Sequence, residues 1–363
     1  MPAIKRIGVL TGGGDCPGLN AVIRAVTKSA LHQYKLEVWG VEDGFLGLIQ
    51  NRMRPLAWND DSNILTTGGT ILGTSNQANP QRFAVPVGDS YEWRNVTDRV
   101  VEHVRANRLD ALVCIGGDGT MTGAANLVRN GINCIGVPKT IDNDLEGCEQ
   151  TFGFDTAVTT ATDALDKIHS TAQSHHRVMV VEVMGRNAGW LALQSGIASG
   201  SDVILLPEIP YDLARINDLL LYRSRTGKRF SIMCVSEGAK PQGGDVVVAK
   251  RVETSPDPIR LGGIANKLVN EIESLTGLEA RATILGHVQR GGSPTAFDRA
   301  LATQFGWYAL ESLLRGAFGK LVVWRKGGLD CVEIASVAGK QRKVPVDHPM
   351  ISAARAVGTV FGD

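Results

Sequence analysis

Short apolar runs rich in valine and isoleucine alternate along the chain with stretches whose apolar residues recur at helical spacing. Such runs are typical of strands buried on both faces, and their alternation with helices predicts an α/β fold with mostly parallel strands. The strands are predicted at residues 4–10, 111–115, 134–137, 178–183, 203–206, 231–235, 282–285 and 321–324. The helices are predicted at residues 19–32, 120–129, 156–172, 188–199, 213–225, 264–276, 298–314 and 349–357.

The length of 363 residues suggests two domains, at roughly 150 residues for each. No repeat of fixed period, low-complexity tract or long linker separates the two halves of the pattern. We therefore expect two similar α/β layers that share an interface.

Composition narrows the class of protein. Hydrophobic residues make up 43% and charged residues 21%, as in soluble globular proteins. The 38 Lys and Arg residues nearly balance the 37 Asp and Glu residues, which argues against a nucleic-acid partner. No run of about 18 apolar residues predicts a membrane span, and the charged start MPAIKR leads into a strand, so we expect a cytoplasmic protein. The six cysteines form no C-x-x-C pair, and we expect them to be buried free thiols.

Glycine is the unusual residue, with 42 among 363, and many of these glycines lie in clusters beside the predicted strand ends. Ligands of open parallel sheets bind at the carboxyl ends of the strands. Six polar clusters follow strands in this way: TGGGD, GGDGT, KTIDND, MGRNAG, SEGAK and GHVQRGG. Turns alone do not explain six such clusters, and the arrangement is typical of an enzyme.

Two of the clusters predict phosphate and metal binding. TGGGDCPGLN joins a strand to a helix, where free backbone N–H groups and the positive helix end attract phosphate, although a tight turn is the alternative. The chain has neither G-x-G-x-x-G at this position nor a G-x-x-x-x-G-K-[ST] loop, which excludes an ordinary dinucleotide or P-loop site. In GGDGT, Asp118 suits a magnesium ligand beside phosphates, or it caps the next helix.

The segment PKTIDNDL carries two carboxylates, Asp142 and Asp144, beside Lys139 and Thr140. In an extended stretch the two carboxylates would point the same way and could act as a general base and its support. A solvated turn is the alternative.

Arginines and one histidine recur in the later clusters, and such groups bind a sugar phosphate through charge-assisted hydrogen bonds. These residues are Arg177, Arg186, Arg281, Arg290 and His287. Each alone is more often part of a surface salt bridge. Their recurrence at what we expect to be one sheet edge favours the binding function.

Taken together and in this order, the clusters resemble the 6-phosphofructokinase family. The match runs from residue 6 to about residue 318 and is carried by LTGGGDCPGLNAVIR, GGTILGTS, GGDGT, PKTIDND, FGFDTA, VVEVMGRNAG, SEGA and LGHVQRGGSP. The resemblance implies two Rossmann-like three-layer domains with mostly parallel sheets. It assigns residues 1–150 and about 288–330 to a phosphoryl-donor domain, and residues 151–287 and about 331–363 to a fructose 6-phosphate domain.

The resemblance also implies an activity, the glycolytic transfer of the ATP γ-phosphoryl group to the 1-hydroxyl of fructose 6-phosphate. Asp142 would be the base, supported by Thr140 and Asp144, and Arg186 would contact the charge that develops on the transferring group. The donor phosphates would contact Gly13, Gly14, Gly117, Asp118, Gly119 and Thr120, with Mg²⁺ held by Asp118.

The sugar half would consist of Thr140, Ile141, Asp142, Met184, Gly185, Arg186, Glu237, His287, Val288, Gln289 and Arg290. In the family, arginines that match Arg177 and Arg281 reach the 6-phosphate from a neighbouring subunit. The resemblance therefore implies a homo-oligomer, a dimer or a tetramer.

The donor is the point on which the family motifs are mixed. Pyrophosphate-dependent members usually have Asp in place of Gly119 together with Lys at position 139, whereas strict bacterial ATP enzymes have Gly at both. This chain combines Gly119 with Lys139, and the open space at Gly119 favours ATP. Asn76 replaces an arginine that contacts the donor in many ATP enzymes, and Arg82 is a possible substitute for it.

Three other functions were considered. Pyrophosphate-dependent transfer to the same sugar phosphate is the nearest alternative. A non-catalytic sugar-phosphate sensor would be expected to lack Asp118 or Asp142, and both are present. A Rossmann dehydrogenase is excluded because its glycine fingerprint is missing.

Overall fold

The computed structural model describes residues 4–255 and 258–363. In chain order its strands are β1 (Arg6–Thr11), β2 (Glu37–Val41), β3 (Met53–Pro55), β4 (Phe83–Val87), β5 (Ser90–Arg94), β6 (Ala111–Gly116), β7 (Cys134–Pro138), β8 (Val178–Val183), β9 (Val203–Leu205), β10 (Ser231–Ser236), β11 (Val248–Arg251), β12 (Ile259–Leu261), β13 (Ala280–Ile284), β14 (Lys320–Arg325) and β15 (Gly328–Glu333). Its helices are α1 (Leu19–Ser29), α2 (Phe45–Gln50), α3 (Thr97–Ala106), α4 (Asp118–Arg129), α5 (Phe154–His175), α6 (Trp190–Ala198), α7 (Leu213–Arg225), α8 (Ile264–Thr276), α9 (Ala296–Leu314), α10 (Ile334–Val337) and α11 (Pro349–Ala356).

The larger sheet has seven strands in the order β15-β14-β7-β6-β1-β2-β3. Its five inner strands are parallel, and the edge strands β15 and β3 run antiparallel to their neighbours. The central strands β1, β6 and β7 are buried on both faces, which explains their continuous apolar sequences. All of their carboxyl ends lie at one edge of the sheet.

The smaller sheet has four parallel strands in the order β13-β8-β10-β9. Side chains alternate between its faces along β8, where Val178 and Val180 pack with helices α7 and α8. Met179, Val181 and Val183 belong to the main core, which also contains residues of α5 and α6. Helices therefore cover both faces, and this part of the molecule has three layers.

Two antiparallel hairpins stand outside the sheets. Strands β4 and β5 form one hairpin and strands β11 and β12 the other. Most of their residues are half-buried or exposed, and all four residues of β11 are exposed.

The expected fold class is confirmed: the chain is α/β with two mostly parallel sheets. The structure adds strands β2, β3, β4, β5, β11, β12 and β15, which the apolar pattern did not predict. The first helix is shorter than expected, because α1 ends at Ser29 and a π-helical turn follows over Ala30–Tyr34. Strand β15 continues the larger sheet to Glu333, while α11 packs beside α6. The division into two domains remains a prediction.

Two further expectations concern the whole chain. The six cysteines are free, and all except the half-buried Cys331 are buried, as expected. In the two ranges that the structure describes, we find no helix with the length and apolarity needed to cross a bilayer.

Candidate active site

One cleft of about 1160 Å³ collects residues that follow the strands of both sheets. The larger sheet contributes Gly13, Gly14 and Asp142 from the loops after β1 and β7. The smaller sheet contributes residues that follow β8, β10 and β13, namely Met184, Arg186, Glu237, His287 and Arg290. These eight residues were predicted from the sequence, and the fold brings them together at the carboxyl ends of the strands.

The loop after β1 is held in a shape that requires glycine. Gly13 has a φ of 79°, and its N–H donates to the Ser75 carbonyl at 3.2 Å. A Cβ atom on Gly14 would stand 2.5 Å from a terminal nitrogen of Arg290. Arg290 instead reaches over the loop and donates to the Asp15 carbonyl at 3.1 Å. Arg290 therefore links the loop after β1 to the half of the cleft that the smaller sheet provides.

Lys139 lies beneath this loop. Its side chain is buried, and its ammonium group donates to the carbonyl of Gly14. Burial lowers the pKa of Lys139 from its ordinary value. This cation lies beside the backbone of Gly13, where an added Cβ would be 3.6 Å from its nitrogen.

The start of α4 adjoins the same loop. Hypothetical Cβ atoms on Gly12 and Gly116 would lie 2.5 and 2.1 Å from the Thr120 hydroxyl, so Thr120 packs closely against both glycines. A Cβ on Gly119 would meet no heavy atom within 4 Å. Gly117–Thr120 is therefore next to the loop after β1 but does not line the cleft in the described structure.

Asp118 does not cap its own helix, since α4 has Gly117 at the N-cap and no side-chain cap bond. One carboxylate oxygen accepts a hydrogen bond from the backbone N–H of Gly339 at 2.6 Å. Burial raises the pKa of Asp118 from its ordinary value. The other oxygen is not used by this bond.

A magnesium ion can be tested against these residues. Across the described ranges, no three or more His, Cys, Asp or Glu side chains converge in a metal-binding cluster. Mg²⁺ is commonly bound by one or two carboxylates together with substrate phosphates and waters. A single carboxylate beside the glycine-rich loop after β1 fits that pattern, and Asp118 provides it.

The segment with Asp142 and Asp144 is a turn, which corrects the extended conformation assumed above. Asn143 has a left-handed φ of 49°. The Thr140 hydroxyl donates to Asp144 at 3.1 Å and accepts from the backbone N–H of Asp142 at 3.0 Å. Thr140 therefore links the two acidic residues, and buried Ile141 anchors the turn in the core.

Asp142 is a carboxylate with an unusual environment. Burial raises its pKa to about 6, against the opposing charges of Arg290 and Lys139, and the charge of Glu237 raises it further. Its Oδ1 atom is buried and accepts no hydrogen bond from the described residues. Burial and the charge of Asp142 also raise the pKa of Asp144 to about 7.

The half of the cleft that the smaller sheet provides is shaped by the loops after β8 and β13. Gly185 has a φ of 129°, and its Cβ would stand 2.7 Å from the Ser236 hydroxyl. Buried Gln289 accepts from the backbone N–H of Met184 at 3.2 Å and so fixes the loop that carries Arg186. Arg186 donates to the Ile259 carbonyl of strand β12 at 3.3 Å. Val288 is 61% exposed and does not line the cleft.

Arg177 and Arg281 do not join this cleft, which corrects the expectation of one sheet edge. Arg177 precedes β8 and Arg281 is the second residue of β13, so both lie at the amino ends of these parallel strands. Both guanidinium groups pair with Glu279, at 2.8 and 2.6 Å. The eight residues from Arg177 to Met184 span roughly 20 Å in extended conformation, so these arginines cannot reach the cleft of their own chain.

A second, smaller recess of about 390 Å³ adjoins the cleft and shares Ser75 and Gln77 with it. Its other walls are mainly apolar and come largely from the β4–β5 hairpin, with Leu46, Ala78, Phe83, Ala84, Pro86 and Tyr91. Asn76 lines the main cleft, and the Arg82 guanidinium stacks on the Trp93 ring with 4.4 Å to its centroid.

Some lining residues were not predicted. Glu182 lines the cleft from β8, and residues 259–263 line it from the β11–β12 hairpin and the turn that follows. A signal for Glu182 was present, because it is a single charge inside the apolar run VMVVEV. The hairpin gave no comparable signal, since its strands are short and mix apolar with basic residues.

Comparison with known proteins adds a family and an activity. A family model described as Phosphofructokinase matches residues 6–313. A Clostridium perfringens protein named ATP-dependent 6-phosphofructokinase 2 is 49% identical over 365 residues, which cover 100% of this chain and 100% of that protein.

Solved structures agree with the sheet arrangement. Pichia pastoris phosphofructokinase in the T-state aligns with a TM-score of 0.78 and 32% identity, over 93% of this chain and 36% of that longer chain. A pyrophosphate-dependent phosphofructokinase from Nitrosospira multiformis aligns with a TM-score of 0.81 over 99% of this chain and 93% of that one. Its identity is 19%, so this second likeness concerns the fold alone.

Proposed function

The chain belongs to the phosphofructokinase family, and we propose that it transfers the γ-phosphoryl group of ATP to the 1-hydroxyl of fructose 6-phosphate. The product is fructose 1,6-bisphosphate, and the reaction is a step of glycolysis. The observation that carries this proposal is Asp142, a half-buried residue whose Oδ1 is buried and unpaired, between the glycine-rich loop after β1 and a cluster of cationic side chains.

Asp142 is proposed as the general base. A base is most effective when its pKa lies near the working pH, and the pKa of Asp142 is raised to about 6. Its free Oδ1 is available to accept the proton of the sugar hydroxyl. Thr140 forms hydrogen bonds with the backbone of Asp142 and with the side chain of Asp144. We therefore assign supporting roles to Thr140 and Asp144.

Phosphoryl transfer depends mainly on alignment and on neutralising charge. We assign the donor phosphates to the backbone of Gly13, Gly14 and Gly117–Thr120, with the Lys139 cation beside them. Bound Mg²⁺ supplies positive charge to the phosphates, and Asp118 is the residue proposed to hold it. Arg186 is placed in the cleft to contact the developing charge of the transferring group.

The sugar phosphate is assigned to the other side of the cleft. Glu237 is proposed to accept hydrogen bonds from sugar hydroxyls, and His287 and Arg290 to bind the 6-phosphate. Met184 and Gly185 shape this half, and Gln289 positions them through its bond to the Met184 N–H.

Two observations favour ATP over pyrophosphate. Open space at Gly119 leaves room for the inner phosphate of a nucleotide. The apolar recess beside Ser75 and Gln77 offers a place for a purine base, which pyrophosphate lacks. Pyrophosphate is small enough to enter the same cleft, so it remains the competing donor.

A homo-oligomer is part of the proposal. Arg177 and Arg281 lie at the edge of the smaller sheet away from the cleft of their own chain. They can instead contribute to the cleft of a neighbouring subunit. Their shared partner Glu279 keeps the two guanidinium groups together at the surface.

A coupled assay with ATP and pyrophosphate side by side, at saturating Mg²⁺ and fructose 6-phosphate, tests the activity. We expect turnover with ATP to be clearly faster than turnover with pyrophosphate. Faster turnover with pyrophosphate would support the competing donor, and no turnover with either would overturn the proposed function.

A further inference from the structure

Glu182 is a buried carboxylate that the mechanism above does not use. It is the fifth residue of β8 and only 3% exposed, yet it lines the cleft. An unpaired buried charge is costly, so the partners of this carboxylate indicate what it does.

The first partners of Glu182 lie in the turn between β12 and α8. The N–H of Gly263 donates to both carboxylate oxygens at 3.1 Å, and the N–H of Ala265 donates to one of them at 3.0 Å. Gly262 and Gly263 have φ angles of 137° and 91°, a backbone that other residues rarely adopt. Glu182 therefore fixes the point where the wall of the cleft ends and α8 begins.

The second neighbour of Glu182 is Glu237, on the adjacent strand connection. Ser236 pairs with Val183 across β10 and β8, and Glu237 follows directly. The pKa of Glu237 is raised to about 7, mainly by burial and next by the negative charge of Glu182. Two acidic groups thus lie together on the side of the cleft assigned to the sugar.

We propose that Glu182 is a positioning residue for the sugar half of the cleft, where it anchors the start of α8 and acts through its charge on Glu237. This inference rests on the proposed function, in which Glu237 accepts hydrogen bonds from sugar hydroxyls as a carboxylate. A purely structural anchor would hold the turn equally well at every pH. A charge that acts on Glu237 changes sugar binding mainly where Glu237 titrates.

Several other charged groups face Glu237 and set the background for this effect. The positive charges of Arg290 and Arg186 favour its carboxylate form, and Glu237 in turn interacts with Asp142. The remaining charged or titratable lining groups are Asp15, Arg260 and His287. All of these groups are unchanged when Glu182 alone is replaced.

The test is the dissociation constant of fructose 6-phosphate, measured by calorimetry from about pH 5.5 to 8.5 for the wild type and for Glu182→Gln. The ratio of the two constants at each pH cancels the ionisation of the substrate itself. Removing the charge lowers the pKa of Glu237, so Glu237 stays ionised to lower pH in the variant. As the pH falls from 8 to 6, the dissociation constant of the wild type divided by that of the variant should therefore rise about three- to tenfold.

Two further variants separate charge from structure. Glu182→Asp keeps the charge but shortens the side chain, so its ratio to the wild type should be independent of pH even if binding weakens throughout. Glu271→Gln removes an acidic group on α8 that is outside the cleft, and its ratio should also be constant.

A constant ratio for Glu182→Gln would reduce Glu182 to a structural anchor and overturn the inference. A pH-dependent gain of threefold or more in Glu182→Asp relative to the wild type would also overturn it, and that measurement does not require the Gln variant to fold. Failure of the wild type to bind fructose 6-phosphate at all would instead count against the proposed function.

Discussion

Asp142 lines the cleft and combines a pKa raised to about 6 with a buried, unpaired Oδ1. We predict that Asp142→Asn lowers kcat by ~10²–10⁴-fold and changes the KM for fructose 6-phosphate little, because asparagine keeps the shape but cannot take a proton. Steady-state kinetics give both values. Asp166→Asn, on the exposed face of α5, is the control for loss of one negative charge.

The pH profile provides a second measurement on the same residue. The base works only when ionised, so wild-type kcat/KM should fall as the pH drops through about 6 and Asp142 becomes protonated. Turnover of Asp142→Asn near that of the wild type would contradict the assignment of the base.

Gly119 is the residue on which donor choice depends. Its backbone is not left-handed and an added Cβ meets nothing within 4 Å, so the fold should tolerate a side chain there. We predict that Gly119→Asp keeps its melting temperature but loses about 100-fold or more in kcat/KM for ATP. The added carboxylate would repel the donor phosphates in a site from which water is largely excluded.

Gly119→Ala separates bulk from charge in this experiment, because it adds one carbon and no charge. It should lose much less ATP activity than Gly119→Asp. Equal ATP activity in the wild type and the Asp variant, measured at saturating Mg²⁺, would show that Gly119 does not determine the donor.

At the residue level the sequence located most of the cleft, because polar clusters after apolar strands identify the carboxyl ends of a parallel sheet. It misplaced Arg177 and Arg281, since a residue that precedes or opens such a strand lies at the opposite edge. It also favoured an extended conformation around Asn143 over the alternative of a turn, and the structure has a left-handed residue there.

The elements that the apolar pattern did not predict are mainly edge strands and hairpins. Strand β11 is fully exposed and β15 is mostly half-buried, so neither carries the continuous apolar run that marks β6 or β10. Both hairpins nevertheless contribute to the binding surfaces, β11–β12 through the cleft and β4–β5 through the apolar recess. The pattern of buried apolar residues therefore predicts the central strands and helices better than it predicts the segments that line the cleft and the recess.

The β4–β5 hairpin leads to a prediction about the donor base. Tyr91 lines the apolar recess and packs edge-on against Trp93, with 5.6 Å between ring centroids. Loss of an aromatic contact with a base typically costs about 1–2 kcal/mol, so Tyr91→Ala should raise the KM for ATP about 5- to 30-fold. Inhibition by tripolyphosphate, which has the phosphates without the base, should not change.

Glu92→Ala is the matched control, because Glu92 is exposed and lies on the opposite face of the same strand. Its KM for ATP should equal that of the wild type. Equal losses of ATP and tripolyphosphate binding in Tyr91→Ala would mean that the hairpin supports the phosphate loop rather than the base.

For the molecule as a whole, the alternation of strands and helices predicted an α/β fold with mostly parallel strands, while the chain length and the family resemblance suggested two domains. The path of the C-terminal segment was harder to predict. It adds β15 to the larger sheet, reaches Asp118 through the Gly339 N–H and ends beside the smaller sheet, where Val360 bridges to Val203. These contacts are long-range pairings that local periodicity does not contain.

The last prediction concerns subunits. If Arg177 serves a neighbouring cleft, a complete site combines Asp142 of one subunit with Arg177 of another. Arg177→Ala and Asp142→Asn should each be nearly inactive at low fructose 6-phosphate. A hybrid pair then contains one site with both groups intact, and an equal mixture should recover about a quarter of the wild-type activity if two subunits share two reciprocal sites.

A mixture of Arg177→Ala and Arg281→Ala is the control, because both arginines lie at the same edge of one subunit and pair with the same carboxylate. Each hybrid site would still lack one arginine, so this mixture should recover nothing. Activity is measured after subunit exchange has been verified, for example with differently tagged chains. Absence of recovery in the Arg177→Ala and Asp142→Asn mixture would contradict a site shared between subunits. It would mean that both residues act in one subunit, although the ends of β8 are roughly 20 Å apart.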